Sequence, residues 1–264
     1  MTAPLRLERF RPGVVRVVLH RPEVRNAFDD VLVLRIAEAF SALGGDPAVR
    51  AVVLAGAGPA FCAGADLEWM RRMVGYGEEE NRRDAESLAR MFLAIDSCPK
   101  PVVGRVHGAA LGGGAGLVAV CDVAVCAEGT LLGTTEVRLG IVPAVISPFV
   151  VRKIGESHAR RWFLTGERFS PHEALRAGLV HAVVPEGDLD AEVDRVLDAL
   201  LLGGPEALAV SKDLAKRMGR LPLDEAPAEA AGVIAERRTS AEGQEGLKAF
   251  LERRRASFTP GGGA

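Results

Sequence analysis

The chain has 264 residues, a formal net charge of −2, 48% hydrophobic and 26% charged residues. That length allows one large domain or two small ones with a substantial core. The near balance of charge argues against nucleic acid or an acidic membrane surface as the default partner. Aromatic residues are only 5% with a single Tyr, which leaves little for a base-stacking platform.

The opening MTAPLRLERFRPG lacks the apolar run of a signal peptide, and no later segment is long and uncharged enough to span a membrane. Cys62, Cys98, Cys121 and Cys126 form no CxxC pair, and three of them sit among apolar neighbours. They read as buried free thiols, and the expected location is a reducing cytoplasm.

In chain order, Val14–Leu19 has strand composition and stops at Arg21-Pro22-Glu23. Val31–Leu43 places apolar residues at helical spacing, and Ala51–Leu54 reads as a second short buried strand. Ala60–Met70 reads as another strand-like entry into small residues, and Glu78–Ile95 as an amphipathic helix ending before Ser97 and Pro99. Leu131–Gly140 returns to strand and loop. Phe149–Ile154, His158–Leu164 and Pro171–Ala177 read as short helices, and Val180–Val184 as a last strand. Beyond it the pattern is helical over Leu189–Leu202, Pro205–Met218, Leu223–Arg238 and Glu242–Arg255. Strands interleaved with helices, followed by helices alone, predict an α/β core with a helical appendage. The glycine-rich end after Thr259 reads as disordered.

The unusual chemistry is concentrated in Pro101–Val125, PVVGRVHGAALGGGAGLVAVCDVAV. Two β-branched runs, Val102–Val106 and Val123–Val125, read as buried strands around the first turns of a buried helix. Glycines at a helix entrance are costly in backbone entropy, so Gly112, Gly113 and Gly114 suit a place where the backbone itself lies against something. A helix N-terminus offers unpaired N–H groups and a positive dipole end to a phosphate, a carboxylate or a developing oxyanion. A tight strand–helix crossover needs the same small residues.

Several signatures are absent: GxGxxG followed by an acidic residue, GxxxxGK[ST], HExxH and GxSxG. The five histidines are dispersed, and no metal cluster is visible. What remains is two small-residue segments, Ala63–Asp66 and Gly112–Gly114, with a carboxylate downstream at Glu136. One N–H from each segment, converging on one oxygen, would make an oxyanion hole.

These segments resemble the crotonase (enoyl-CoA hydratase/isomerase) superfamily. The matching pieces are Arg21–Ala27 (RPEVRNA), Phe61–Leu67 (FCAGADL), Val106–Gly114 (VHGAALGGG), Cys121-Asp122, Thr135–Gly140 (TEVRLG) and Glu245–Arg253 (EGLKAFLER). They run in order, with family spacing, from near residue 5 to about residue 258. The resemblance implies an α/β fold, a spiral of ββα units, with a helical C-terminal trimerisation region. It places a catalytic core in residues 1–200, an oligomerisation region in 201–258 and a short tail in 259–264. It further implies a hexamer built as a dimer of trimers. The implied substrate is an acyl-CoA thioester, so that CoA belongs to the substrate and no separate cofactor is expected.

Carried over by position, the resemblance makes Ala65 and Gly113 the backbone donors to the thioester oxygen and Glu136 the catalytic carboxylate. It puts Glu23, Arg25 and Ala27, with Ala63, Ala65, Asp66, Leu67 and Glu68, along the nucleotide and pantetheine of CoA. Gly113 and Gly116 count among the substrate-binding positions, and Arg253 matches a region reaching the CoA phosphates from a neighbouring subunit.

The chain departs from the family at Gly116, where well-studied hydratases carry a first glutamate, and at Ile141–Pro148, where many carry a glycine-rich run. These departures resemble bacterial members assigned to hydration of branched enoyl-CoAs, such as methylglutaconyl-CoA, in leucine or terpenoid breakdown. A free carboxylate on such a chain would call for Arg71, Arg72 or Arg138. The expected activity is hydration. Double-bond isomerisation, which needs one carboxylate, is the alternative, followed by an inactive member that binds acyl-CoA or RNA.

Overall fold

The computed structural model describes residues 3–262. Its principal sheet takes strands in the order β1 (Leu5–Arg11), β2 (Val14–Leu19), β3 (Ala51–Gly56), β4 (Val102–Val106), β6 (Val123–Ala127) and β9 (Ala182–Val184). Only β1 runs antiparallel to its neighbour; every pairing from β2 to β9 is parallel. Parallel strands buried on both faces read as continuous apolar runs, which is the composition of β2, β3 and β4.

One face of this sheet is covered by α7 (Leu189–Leu201), whose Leu189, Val193 and Leu197 pack on Val14, Val53 and Val103. The other face carries the main core, where α1 (Asp30–Gly45), α3 (Glu78–Asp96) and α4 (Gly113–Val120) meet Val52, Leu54 and Val102. Helix α1 starts where it does because the Asp29 side chain accepts the Leu32 N–H at 2.7 Å, and it buries Leu32, Ile36, Phe40 and Leu43 as one stripe.

The chain also repeats a strand, a short crossing strand and a helix. Strand β4 leads to β5 (Ala109–Leu111) and α4. Strand β6 leads to β7 (Leu131–Gly133), a 3-10 turn at Glu136–Leu139 and α5 (Ser147–Thr165). Strand β3 leads to a single-residue pairing of Cys62 with Ala110 and then to α2 (Leu67–Val74). The short strands form a second sheet, β5-β7-β8, with β8 at Arg168–Phe169. This is the α/β spiral of ββα units that the resemblance implied.

Several elements differ from the sequence reading. Strand β1 has no counterpart in the sequence reading, because LRLERFR is a charged and largely exposed edge strand with little apolar signal. Ala60–Met70 pairs only at Cys62 and Ala65 and then becomes helix α2, started by the Asp66 side chain on the Glu68 and Trp69 N–H groups. The two short helices expected over 149–164 are present as the two halves of α5, broken at Gly155, whose backbone is non-helical, and the first begins earlier than expected, at Ser147. Helix α10 (Ala241–Leu251) ends short of Arg255, where Arg253 takes a left-handed conformation.

Helices α6 (Pro171–Ala177), α8 (Pro205–Met218), α9 (Ala226–Thr239) and α10 complete the chain. Among the described residues no helix is long and apolar enough to cross a membrane. All four cysteines are buried free thiols, and burial pushes Cys62 and Cys121 up to about 12. Residues 259–262 form turns, with the Gly262 N–H donating to Thr259; the end of the expected tail, 263–264, lies outside the described residues.

The helical C-terminal part is tied to the core by cations. Lys212 bonds Asp122 at 2.7 Å and Lys216 bonds Asp96 at 2.8 Å. Arg50 donates to the carbonyls of Leu201, Gly203 and Phe258, gathering the end of α7, the α7–α8 link and the chain end. Arg50→Ala leaves these acceptors without their donor and is expected to destabilise the fold by about 2 kcal/mol. Thermal denaturation checks this, with Arg50→Lys recovering part of the loss.

Candidate active site

The site is built from two backbone segments held together across the second sheet. Cys62 donates to Ala109 at 2.9 Å and accepts from Leu111 at 3.0 Å, so the 60s loop runs beside β5. At the other end of that loop, Phe28 donates to Gly64 at 2.7 Å and accepts from Asp66 at 2.8 Å. These two bonds pass over Ala65, whose N–H has no acceptor among the described residues. The Gly113 N–H opens α4 and has no acceptor either among the described residues.

The glycines are required by close approach. A Cβ on Gly114 would lie 2.2 Å from the Cys62 carbonyl oxygen, and one on Gly113 would lie 2.7 Å from the Phe28 ring. Gly112 has φ +53°, a left-handed turn that sends β5 into α4, and its N–H donates to Gly133 at 2.8 Å. That last bond sets the neighbouring unit in place: three residues after Gly133, the Glu136 carboxyl lies over Gly112, with Oε1 3.4 Å from the position of a Cβ there.

Glu136 is half-buried, and its Oε2 is buried with no hydrogen-bond partner. Burial pushes its pKa above the ordinary 4.5, opposed only by its own backbone N–H. Nearby in sequence, Thr134 is buried with an unpartnered hydroxyl. The arrangement is therefore an unclaimed N–H at Ala65, unclaimed N–H groups at the entrance of α4 that include Gly113, and an unclaimed carboxyl oxygen, among the described residues. Such a set can hold an oxygen that becomes negative and move a proton beside it.

Residues outside the sequence-derived set hold this geometry. The Arg21 guanidinium donates to Ala27 O at 2.6 Å and Asp66 at 2.9 Å and pairs with Asp29 at 3.1 Å. Fully buried Asn26 donates to Ala57 and Ala60 carbonyls and accepts from the Arg21 N–H. Both lie in the quoted RPEVRNA piece, but nothing in the sequence reveals partners up to 45 residues away. Asp66 is buried, which raises its pKa, yet the Glu68 and Trp69 N–H groups and Arg21 outweigh that and leave it below the usual carboxylate range.

The structure brings most of the expected positions together. Glu23 and Arg25 are exposed on a 3-10 turn, and the Arg25 carbonyl accepts from Ala63, joining the 23–27 turn to the 63–66 loop. Ala65, Leu67 and Glu68 are exposed along the same edge, while Ala27 is buried beneath it. Gly116 is buried within α4. Arg253 lies past α10 and shares no hydrogen bond with these segments of its own chain among the described residues. Arg71 pairs with Glu68 and Arg72 with Asp30, whereas Arg138 has no acidic partner among the described residues. A cavity of about 620 Å³ lies at the far end of α4, lined by Cys121, Asp122, Lys153 and Lys212, away from the free N–H groups.

The sign of the Glu136 shift gives a stability test. A carboxyl whose folded pKa is raised favours the fold in its protonated form; that contribution is complete below pH 4.5 and is lost as pH rises through the folded value. Glu136→Gln is therefore expected to be more heat-stable than wild type at pH 7–8, with the gain disappearing below about pH 4.5, as melting curves across pH would show.

The family model described as enoyl-CoA hydratase/isomerase matches residues 9–261. A crotonyl-CoA hydratase of Syntrophomonas wolfei is 32% identical over 242 residues, covering 91% of this chain and 92% of its own. Among solved structures, the AtuE protein of Pseudomonas aeruginosa superposes with a TM-score of 0.93 at 38% identity, covering 98% of this chain and all of that one. An enoyl-CoA hydratase of Shewanella pealeana gives 0.92 at 37% identity, with 96% and 95% covered. With free backbone donors at Ala65 and Gly113, a half-buried carboxyl and this breadth of similarity, the chain belongs to the enoyl-CoA hydratase/isomerase family of crotonase-fold enzymes.

Proposed function

We propose that the protein hydrates the α,β double bond of an enoyl-CoA with Glu136 as its single proton carrier. The observation that carries this reading is the Glu136 carboxyl, half-buried with an unpartnered oxygen, lying over Gly112 beside the free Gly113 N–H. Water forms its bond to the β-carbon while Glu136 takes its proton, and the double-bond electrons move to the thioester oxygen. The Ala65 and Gly113 N–H groups hold that enolate oxygen, each worth about 2.7–4 kcal/mol in a preorganised site. The α-carbon then takes the proton from Glu136 as the enolate collapses, which restores the carboxylate. A raised pKa suits a group that must both accept and return a proton.

The substrate reading is a branched enoyl-CoA such as methylglutaconyl-CoA, in leucine breakdown. For its distal carboxylate, Arg138 is the available cation of the three arginines considered, since Arg71 and Arg72 are already paired. The assembly reading is a hexamer of two trimers, supported by the exposed Leu223, Phe250 and Leu251 of the C-terminal region, with Arg253 serving a neighbour's CoA phosphates. Four buried free thiols favour a cytoplasmic setting. Isomerisation is the second reading: Gly116 leaves one carboxylate, and one suffices to move a proton from the α- to the γ-carbon.

Purified protein is expected to convert crotonyl-CoA or methylglutaconyl-CoA to a product heavier by one water. Conversion of a β,γ-unsaturated isomer at unchanged mass would assign isomerisation instead. Glu136→Gln is expected to lower kcat by about 10²–10⁴-fold with little change in KM. Near-wild-type turnover of the folded variant removes Glu136 from the mechanism.

A further inference from the structure

Resting on the acyl-CoA reading above, we propose that Ile146 sets acyl specificity, forming an apolar wall against the β-carbon substituents of the bound thioester. The Gly116 N–H donates to the Gly112 carbonyl at 3.2 Å, so these two residues stack on one face of α4, one turn apart. Over Gly112 stands the Glu136 carboxyl. Over Gly116 stands Ile146, whose Cγ2 lies 2.3 Å and Cβ 3.0 Å from the position a Cβ on Gly116 would take, with the Phe92 ring edge also at 3.0 Å. The two positions over which Glu136 and Ile146 stand are thus four residues, about 6 Å, apart along the helix. A thioester oxygen held at Gly113, between the two, directs its reacting carbons along this face.

Ile146 is a rigid wall. It is 3% exposed, and its carbonyl accepts from Phe149 and Val150 at the start of α5. Its β-branched side chain has few rotamers. Phe92 behind it is held edge-on by Phe28, with centroids 6.4 Å apart, and packs on Phe149 at 5.9 Å. Nothing on this wall offers a hydrogen bond, so it accepts a hydrogen or small apolar branch and excludes a long chain. The same contact explains Gly116: while Ile146 occupies this space, no side chain fits there.

Calorimetry with butyryl-CoA, isovaleryl-CoA and octanoyl-CoA tests the wall independently of turnover, alongside kcat/KM for crotonyl-CoA and trans-2-octenoyl-CoA. In Ile146→Ala the octanoyl-to-butyryl affinity ratio is expected to rise about tenfold or more, the scale for hydrophobic-pocket discrimination. Ile146→Val, the milder change, should move it part of the way if the alanine variant folds poorly. Gly116→Ala should lose acyl-CoA binding alone and regain it when combined with Ile146→Ala. A ratio unchanged within twofold in folded variants overturns the proposal while leaving the hydratase reading intact. A shifted ratio without hydration keeps the wall and removes the hydratase reading, and failure of wild type to bind any of the three overturns both.

Discussion

The contact on which this site depends is the approach of the Gly114 backbone to the Cys62 carbonyl. With a Cβ there, the distance would be 2.2 Å, and the 60s loop and the start of α4 would be forced apart. One segment carries the free N–H of Ala65 and the other that of Gly113, and two such donors can act on one oxygen only when both aim at it. Ladder bonds from Cys62 to Ala109 and Leu111 hold the approach from the side. The spiral of ββα units is the scaffold that lets two loops far apart in sequence meet edge to edge.

Electrostatics follow from that packing. Because Gly112 hands its N–H to Gly133, the next unit of the spiral delivers Glu136 to the helix entrance rather than to solvent. There burial raises its pKa, and its second oxygen is left without a partner. The contrast with Asp66 is instructive. Asp66 is also buried, but two helix N–H groups and Arg21 hold it ionised, so it organises the loop. Two carboxylates on neighbouring segments are shifted in opposite directions because one is fully partnered and the other is not.

A further layer keeps the amide-bearing loop in place. Arg21 and Asn26 join the turn before α1 to Ala57, Ala60 and Asp66. On the opposite side, Phe92 and Ile146 close against Gly113's helix and leave an apolar face at Gly116. One side of the α4 entrance is therefore polar and held by hydrogen bonds, and the other is apolar and closely packed.

The sequence alone determined which segments carry the chemistry. Apolar β-branched runs located β2, β3, β4 and β6, helical spacing located α1, α3 and the C-terminal helices, and the glycine run marked the helix entrance. Edge strand β1 was illegible because a solvent-facing strand needs no apolar pattern, and α2 because its start depends on a side-chain cap rather than on hydrophobic spacing. The motifs identified Ala65, Gly113 and Glu136 as candidates, but not why Glu136 is unpartnered, nor that Arg21 and Asn26 hold the loop. Nor did position 116 reveal Ile146 above it, thirty residues along the chain. Local sequence records backbone preference and periodicity. Which carbonyl lies 2.2 Å from a missing Cβ, and which carboxyl loses its water, are decided only when distant segments pack.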